Sequence, residues 1–169
     1  FLKKNGFQTH QAKSCIIVGG GRAAYYLAKR LIELGISVQI VENKKERCEE
    51  LSVLLPQAII VNGDGTSEEL LNEIGITTTE SLVPLTGIDE ENIMLTLYAK
   101  EVSNAKVVTK INRITYTGVI DQLDLGSVVY PKYITSEAII AFVRSKTATM
   151  NNNIETMIHL FDERVEAIE

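Results

Sequence analysis

Three small residues, Gly19, Gly21 and Ala24, have the spacing of a phosphate-binding turn, G-x-G-x-x-G/A. A Cβ at the first position would obstruct the tight turn, and one at the second would keep a diphosphate away from the backbone. A small third residue lets the following helix pack close to the preceding strand. Unpaired N–H groups at the start of that helix favour an anion. The pattern predicts that Gly19, Gly21, Arg22 and Ala23 bind phosphate, with a surface ion pair as the alternative role of Arg22.

A carboxylate, Glu42, follows the second apolar segment, 23 residues after Gly19. An acid at this place accepts hydrogen bonds from adenosine ribose hydroxyls and repels a 2′-phosphate. NAD, ATP or ADP are therefore favoured over NADP, although Lys44 and Lys45 weaken that repulsion. We include the adjacent Asn43 among the candidate ligand residues. The alternative for Glu42 is a solvent-facing acid at a strand end.

A third polar segment, Gly63-Asp64-Gly65-Thr66, ends the third apolar segment. Its two glycines permit an open backbone near a flat ligand such as adenine, and Asp64 can fix the turn. The alternative is an ordinary Asp-Gly turn before a helix cap.

Further candidates follow the next two predicted strands, where a nucleotide crevice would continue. Thr86, Gly87 and Asn92 come after the fourth strand, and Lys110 and Arg113 after the fifth. Their positions predict contacts with the ligand, those of Lys110 and Arg113 with a distal phosphate.

Apolar segments and helical patterns alternate about six times from residue 14 onwards. This alternation predicts an α/β fold, a Rossmann-like doubly wound parallel six-stranded sheet in the order 3-2-1-4-5-6. The first strand is apolar without interruption, as expected when both sheet faces are covered. Strands are predicted at 15–18, 37–41, 58–61, 81–85, 106–111 and 127–130, and the last four helices at 67–74, 89–102, 114–123 and 136–145.

The expected domain plan is a linker over residues 1–13, one nucleotide-binding domain over 14–149, and the start of a truncated C-terminal segment over 150–169. Because the sequence lacks an initiating Met, we expect a fragment of a longer chain.

The composition excludes several functional classes. A net charge of −5 argues against nucleic acid as a partner. Two cysteines form no disulfide framework and favour a reducing compartment, the cytoplasm. His10 and His159 are isolated from other metal-ligating residues, so no metal site is expected. The spacing of Tyr25 and Lys29 matches a short-chain dehydrogenase pair, but it falls in the first helix, beside the phosphates. We therefore predict no catalytic residues and no enzyme.

Two predicted helices are apolar nearly all round, at residues 93–99 and 138–143. A helix that covers one face of a sheet needs only one apolar stripe. The surplus predicts a homodimer through helices 89–102 and 136–145, with burial inside the monomer as the alternative.

Residues 14–149 resemble the RCK (KTN, Trk-N) family, cytoplasmic nucleotide-binding modules that regulate potassium channels and transporters, and most closely the regulatory subunits of Trk uptake systems. The resemblance is carried by the segments 16–24, 41–42, 63–66 and 86–92. It implies a sensor in which NAD(H) or ATP/ADP lies over Gly19–Arg22, the ribose on Glu42, and the adenosine near Asp64 and Thr66.

The resemblance also implies a dimer that exchanges its last helix, a ring of dimers, and a membrane potassium transporter subunit as partner, so that the protein is peripheral to the inner face of the membrane. The linker-like start suits the second of two tandem modules. Two other functions remain open: a small NAD-dependent oxidoreductase or epimerase-like fragment, and a purely structural dimerisation domain.

Overall fold

Strands and helices alternate along the computed structural model, which describes residues 12–113, 117–120, 122–148, 157–160 and 165–168. The chain divides into two units, Phe1–Val129 and Tyr130–Glu169, each described by itself. The first unit contains β1 Ser14–Val18, α1 Arg22–Glu33, β2 Ser37–Glu42, α2 Lys45–Leu54, β3 Ile59–Asn62, α3 Glu68–Glu73, β4 Ser81–Pro84, α4 Asp89–Val102, β5 Lys106–Lys110, α5 Thr117–Ile120 and β6 Ser127–Val129.

The six strands form one parallel sheet in the order β3-β2-β1-β4-β5-β6. The register pairs Ile17 of β1 with Ile40 of β2 and with Val83 of β4. The predicted Rossmann-like sheet and its strand order are confirmed.

Alternate residues of β1 enter two different hydrophobic cores. Cys15 and Ile17 belong to a cluster with residues of α1 and α2. Ile16 and Val18 belong to a second cluster with residues of α3 and α4. Because successive side chains of a strand point to opposite faces, this division explains the uninterrupted apolar segment.

The start of α1 lies close to the sheet because its inward side chains are small. Ala24 and Ala28 are completely buried in the cluster that contains Ile17. The turn after α1 contains Gly35 at φ +77°, a conformation that favours glycine. The predicted role of Ala24, close packing of helix on strand, is confirmed.

The second unit contains α6 Pro131–Ala148 and an antiparallel pair of strands, β7 Met157–Leu160 and β8 Val165–Ile168. Helix α6 begins earlier than predicted, because proline is compatible with the first turn of a helix. In this unit Ile139, Phe142 and Val143 are exposed.

Some predictions fall partly outside the described residues: the linker at 1–11, residues 114–116 and 121 of the helix predicted at 114–123, and residues 149–156, 161–164 and 169 of the C-terminal part. Within the described part of the chain, no helix has both the length and the apolar character that a membrane crossing requires.

Candidate functional site

A cleft of about 690 Å³ opens at the edge of the sheet where the parallel strands end. In doubly wound sheets ligands bind at this edge, where the strand order reverses, here between β1 and β4. The cleft is lined by residues that follow five strands: Val18, Gly19, Gly20, Gly21, Val41, Glu42, Asn43, Lys44, Arg47, Asp64, Gly65, Thr66, Leu85, Thr86, Gly87, Ile88, Glu91 and Lys110.

Gly19 makes the first turn of the glycine loop possible. Its φ is +100°, and an added Cβ would lie 3.0 Å from the carbonyl carbon and oxygen of Leu85. Its N–H donates to the Val41 carbonyl at 2.8 Å. Both the backbone angle and the close approach of β4 therefore require glycine.

Both the N–H and the carbonyl of Gly20 form hydrogen bonds with side chains, although the sequence pattern accepts any residue at this position. Its N–H donates to Glu42 Oε2 at 2.7 Å, and its carbonyl accepts from Arg47 Nε at 2.7 Å. A Cβ would lie 2.8 Å from Leu51 Cδ1 and 2.9 Å from Glu42 Oε2. The second residue of the loop is thus as constrained as the first.

The N-terminus of α1 begins at Gly21, an N-cap residue that has no side chain to cap the helix. Among the described helices α1 to α4, α1 is the one whose first turn contains no acid. By contrast, Ser67 caps α3 and two acids follow it, and three acids begin α4. A Cβ on Gly21 would have no atom within 4 Å, so the space in front of the helix is open. The positive end of α1 therefore faces the cleft and is available to an anion.

Glu42 organises the ends of β1 and β2. Its Oε2 accepts from Gly20, and its Oε1 accepts from the N–H of Lys44 at 2.9 Å. Asn62 Nδ2 donates to the carbonyl of Glu42 at 3.0 Å, which ties in the end of β3. Since a carboxylate has about four acceptor positions, Glu42 retains capacity for two ribose hydroxyls.

Asp64 forms a tight turn with Thr66. Its Oδ1 accepts from the N–H of Thr66 at 2.9 Å and from Thr66 Oγ1 at 2.7 Å, and these bonds lower the pKa of the Asp64 carboxyl. A Cβ on Gly65 would collide with Val18 Cγ1, whereas one on Gly63 would lie 2.6 Å from Cδ2 at the flexible end of Leu70. The absence of a side chain at Gly65 therefore lets this turn lie against the strand ends.

The loop after β4 forms a small hydroxyl-stabilised turn. Thr86 Oγ1 donates to the Ile88 carbonyl at 3.0 Å, and the Ile88 N–H donates back at 3.2 Å. Thr86, Gly87 and Ile88 line the cleft, and Ile88 is half exposed there. This turn supplies apolar surface and backbone groups opposite the glycine loop.

Asn92 does not line the cleft, in contrast to its predicted place. It is completely buried, its Oδ1 accepts from the Thr86 N–H at 3.0 Å, and its Nδ2 donates to the carbonyls of Thr86 at 3.3 Å and Lys110 at 3.0 Å. Its position on α4 faces the sheet rather than the solvent. Asn92 therefore holds two cleft segments in place.

Asp89 has a similar structural role one turn earlier on α4. Its carboxylate accepts from the N–H groups of Asn112 and Arg113 and from Asn112 Nδ2, all at 2.9 Å. Arg113 does not line the cleft. Lys110 does, and its Nζ donates to the Leu85 carbonyl at 3.2 Å. Burial lowers the pKa of the Lys110 amine, and the charge of Asp89 opposes that shift.

The cleft thus brings together most of the predicted ligand residues: Gly19, Gly21, Glu42, Asn43, Asp64, Gly65, Thr66, Thr86, Gly87 and Lys110. The others, Arg22, Ala23, Gly63 and Asn92, are not among its lining residues. In the described part of the chain, no carboxylate forms an ion pair with Arg22. Lining residues outside the predicted set are Val18, Gly20, Val41, Lys44, Arg47, Leu85, Ile88 and Glu91.

Tyr25 and Lys29 lie outside the lining of the cleft. Tyr25 packs against the core cluster beside α1 and makes an edge-to-face contact with Tyr26 at 5.1 Å between ring centroids. Among the described residues, no group of three or more His, Cys, Asp or Glu side chains is arranged to hold a metal ion.

A second depression of about 620 Å³, the α3–α4 groove, lies beside the cleft. Met94 lies in it and is 64% exposed. The groove is lined by Thr66, Glu68, Leu71, Glu90, Glu91, Met94, Leu95, Leu97, Tyr98 and Glu101. It combines an apolar surface with four carboxylates and no basic residue.

The model of the TrkA-N domain family matches residues 15–131. The chain is 31% identical over 155 residues to the Trk system potassium uptake protein trkA homolog 1 of Methanosarcina mazei, covering 91% of this chain and 37% of that protein. It is 33% identical over 156 residues to the Trk system potassium uptake protein TrkA of Haemophilus influenzae, covering 92% of this chain and 33% of that protein. The chain therefore spans about a third of the length of these relatives.

Solved structures share the fold. The TrkA-N domain of the inner membrane protein ybaL from Escherichia coli superposes with a TM-score of 0.69 at 15% identity, covering 80% of this chain and 99% of that domain. The GsuK channel bound to NAD superposes with a TM-score of 0.61 at 13% identity, covering 91% of this chain and 26% of that one.

Proposed function

The chain belongs to the TrkA-N domain family, and we propose that it is the nucleotide-binding regulatory module of a potassium uptake system. It senses NAD(H) or ATP/ADP and carries out no chemistry on them. The observation that carries this proposal is the uncapped α1 N-terminus behind Gly21, at the centre of a cleft formed by five strand ends.

The contacts favour one orientation of the ligand. The diphosphate lies against Gly19–Gly21 at the positive end of α1, where Arg22 adds a nearby exposed cation. The adenosine lies towards β2 and β3, with ribose hydroxyls on Glu42 and the base near Asn43 and the turn of Asp64. The distal part of the ligand extends over Thr86 and Gly87 towards Lys110.

The regulatory role follows from what the cleft offers and from the relatives. Two acidic side chains on its walls, Glu42 and Asp64, accept hydrogen bonds from backbone N–H groups, and the relatives are potassium uptake proteins. A ligand that binds two arrangements of the protein unequally shifts their populations without turnover. The membrane partner is a potassium transporter subunit, which this module contacts from the cytoplasm.

The proposed homodimer uses α4 and α6. The α3–α4 groove offers Met94 and Leu97, and α6 offers Ile139, Phe142 and Val143, all apolar and on the surface of their own units. Burial of this surface supplies the driving force for pairing, and rings of dimers form in the full-length protein.

Equilibrium titration of the purified chain with NADH, ATP and ADP tests the nucleotide site. We expect saturable binding, and its loss in Gly21→Val, because the new side chain would occupy the open space in front of α1. Gly118→Val is the control, since Gly118 also faces open space but lies outside the cleft. Absence of binding by the unmodified chain, or unchanged binding by Gly21→Val, would contradict the proposal.

A further inference from the structure

Lys110 lies at the far end of the cleft from the adenosine side. β5 is separated from β3 by four inter-strand spacings in the order β3-β2-β1-β4-β5. At about 4.8 Å per spacing, the two ends of the cleft are roughly 19 Å apart. A ligand held by Glu42 and Gly19–Gly21 fills the first half, so only its distal group reaches Lys110.

The amine of Lys110 is a cation with incomplete local compensation. One of its three donors is used by the neutral Leu85 carbonyl at 3.2 Å. The carboxylate of Asp89, the acid that acts on it, already accepts three hydrogen bonds from Asn112 and Arg113. The Lys110 side chain is partly buried, and this burial lowers the pKa of its amine.

Glu91, on α4, is another charged residue that lines the cleft, and it also lines the α3–α4 groove together with Thr66. Among the described residues no ion pair joins Glu91 to Lys110, and the charged group in contact with the Leu85 carbonyl is the amine of Lys110.

We propose that Lys110 is a specificity-determining residue that selects the charge of the distal group, rejecting a cationic ring and accepting a neutral or anionic one. The inference rests on the proposed nucleotide site. Its sharpest consequence concerns NAD⁺ and NADH, which share the same ADP portion and differ in the positive charge of the nicotinamide ring. The cleft would then bind NADH more tightly than NAD⁺.

Calorimetric titration with NADH, NAD⁺ and AMP tests this inference. For the unmodified chain we expect NADH to bind about five- to tenfold more tightly than NAD⁺, the effect of about 1 kcal/mol of charge repulsion. In Lys110→Met the two affinities should become nearly equal, and in Lys110→Arg the difference should persist. Lys106→Met, at the opposite end of β5, is the matched control and should retain the difference.

AMP separates the two proposals because it lacks the distal group. If the unmodified chain binds none of the three ligands, the nucleotide site itself is wrong. If it binds them but Lys110→Met keeps the original ratio of NADH to NAD⁺ affinity, the role of Lys110 is wrong. An equal loss of AMP binding in Lys110→Met would also overturn the inference, since Lys110 would then act on the fold rather than on ligand charge.

Discussion

The two walls of the cleft are built in different ways. The glycine-loop wall, formed by Gly19–Gly21, Glu42 and Asp64–Thr66, takes its shape from residues without side chains and from carboxylates that accept backbone N–H groups. The β4–β5 wall, formed by Thr86–Ile88 and Lys110, takes its shape from the buried amide of Asn92 behind it.

The contrast distinguishes two physical causes that fix the shape of the cleft. On the glycine-loop wall, a substitution at Gly19 or Gly65 adds atoms where no space exists. On the β4–β5 wall, a substitution at Asn92 removes the hydrogen bonds that a fully buried amide makes to the wall. The first wall is therefore sensitive to size and the second to polarity, and variants can test each property separately.

The largest effect is expected for Asn92→Ala on the β4–β5 wall. The change leaves the Thr86 N–H without its acceptor and opens a cavity at a fully buried position. We expect a loss of about 3 kcal/mol in the free energy of unfolding, measured by urea denaturation. Val53→Ala, at an exposed position on α2, should change it by less than about 0.5 kcal/mol. If the two variants lowered the free energy of unfolding equally, the buried hydrogen bonds of Asn92 would not support the β4–β5 wall.

Gly19→Ala tests the glycine-loop wall. The added Cβ combines a φ of +100° with a 3.0 Å approach to the Leu85 carbonyl. We expect a loss of about 2 kcal/mol in the free energy of unfolding and weaker nucleotide binding. Gly21→Ala, with open space at the same atom, is the control and should leave thermal unfolding within a degree or two of the original. A stable Gly19→Ala variant would show that the loop tolerates added size.

Glu42→Gln tests whether the carboxylate acts on the loop or only on a ligand. One of its two backbone donors, on Gly20 or Lys44, would then face an amide N–H₂ group. We expect a loss of about 1 kcal/mol in stability without any ligand, together with about tenfold weaker ADP binding. Glu49→Gln, exposed on α2, serves as the control. Weaker binding with no loss of stability would assign Glu42 to the ligand alone.

The smallest effect concerns pH and Lys110. Its pKa in the folded chain lies below the ordinary value of 10.5. The unfolded chain therefore binds more protons just below pH 10.5, and stability must rise with pH in that window and level off above it. Compared with Lys110→Met, the unmodified chain should gain stability as the pH rises towards 10.5 and gain none above it, measured by chemical denaturation. If the stability of the two proteins changed with pH in the same way, the lowered pKa of Lys110 would be contradicted.

The sequence predicted the sheet well because its signals are local. An uninterrupted apolar strand, a glycine turn and a helical stripe each identify an element. Their alternation predicts a parallel sheet, for which 3-2-1-4-5-6 is a common strand order. The glycine-loop wall was predicted for the same reason, since Gly19, Glu42 and Asp64 follow strands directly. Their meeting at one edge is a necessary consequence of parallel pairing.

The β4–β5 wall was harder to predict. Asn92 was assigned to the ligand because it follows the fourth strand, but the spacing of Asp89, Asn92 and Thr96 puts three polar residues on one helix face. All three are buried, and Thr96 bonds to Thr109 in the neighbouring strand. That spacing could have identified Asn92 as a buried residue. No sequence signal identified Arg47, because its segment is typical of a charged, solvent-facing helix and its bond to the Gly20 carbonyl depends on tertiary structure.

The position of β1 at the centre of the sheet has a consequence for synthesis on the ribosome. Its partners are β2, which follows after a short helix, and β4, which pairs Ile16 with Leu82 much later in the chain. Until β4 has left the exit tunnel, one edge of β1 has no partner and Gly19 has no Leu85 to lie against. A nucleotide therefore cannot guide the early stages of folding, and the nascent chain must keep an apolar edge from aggregating until its second half emerges.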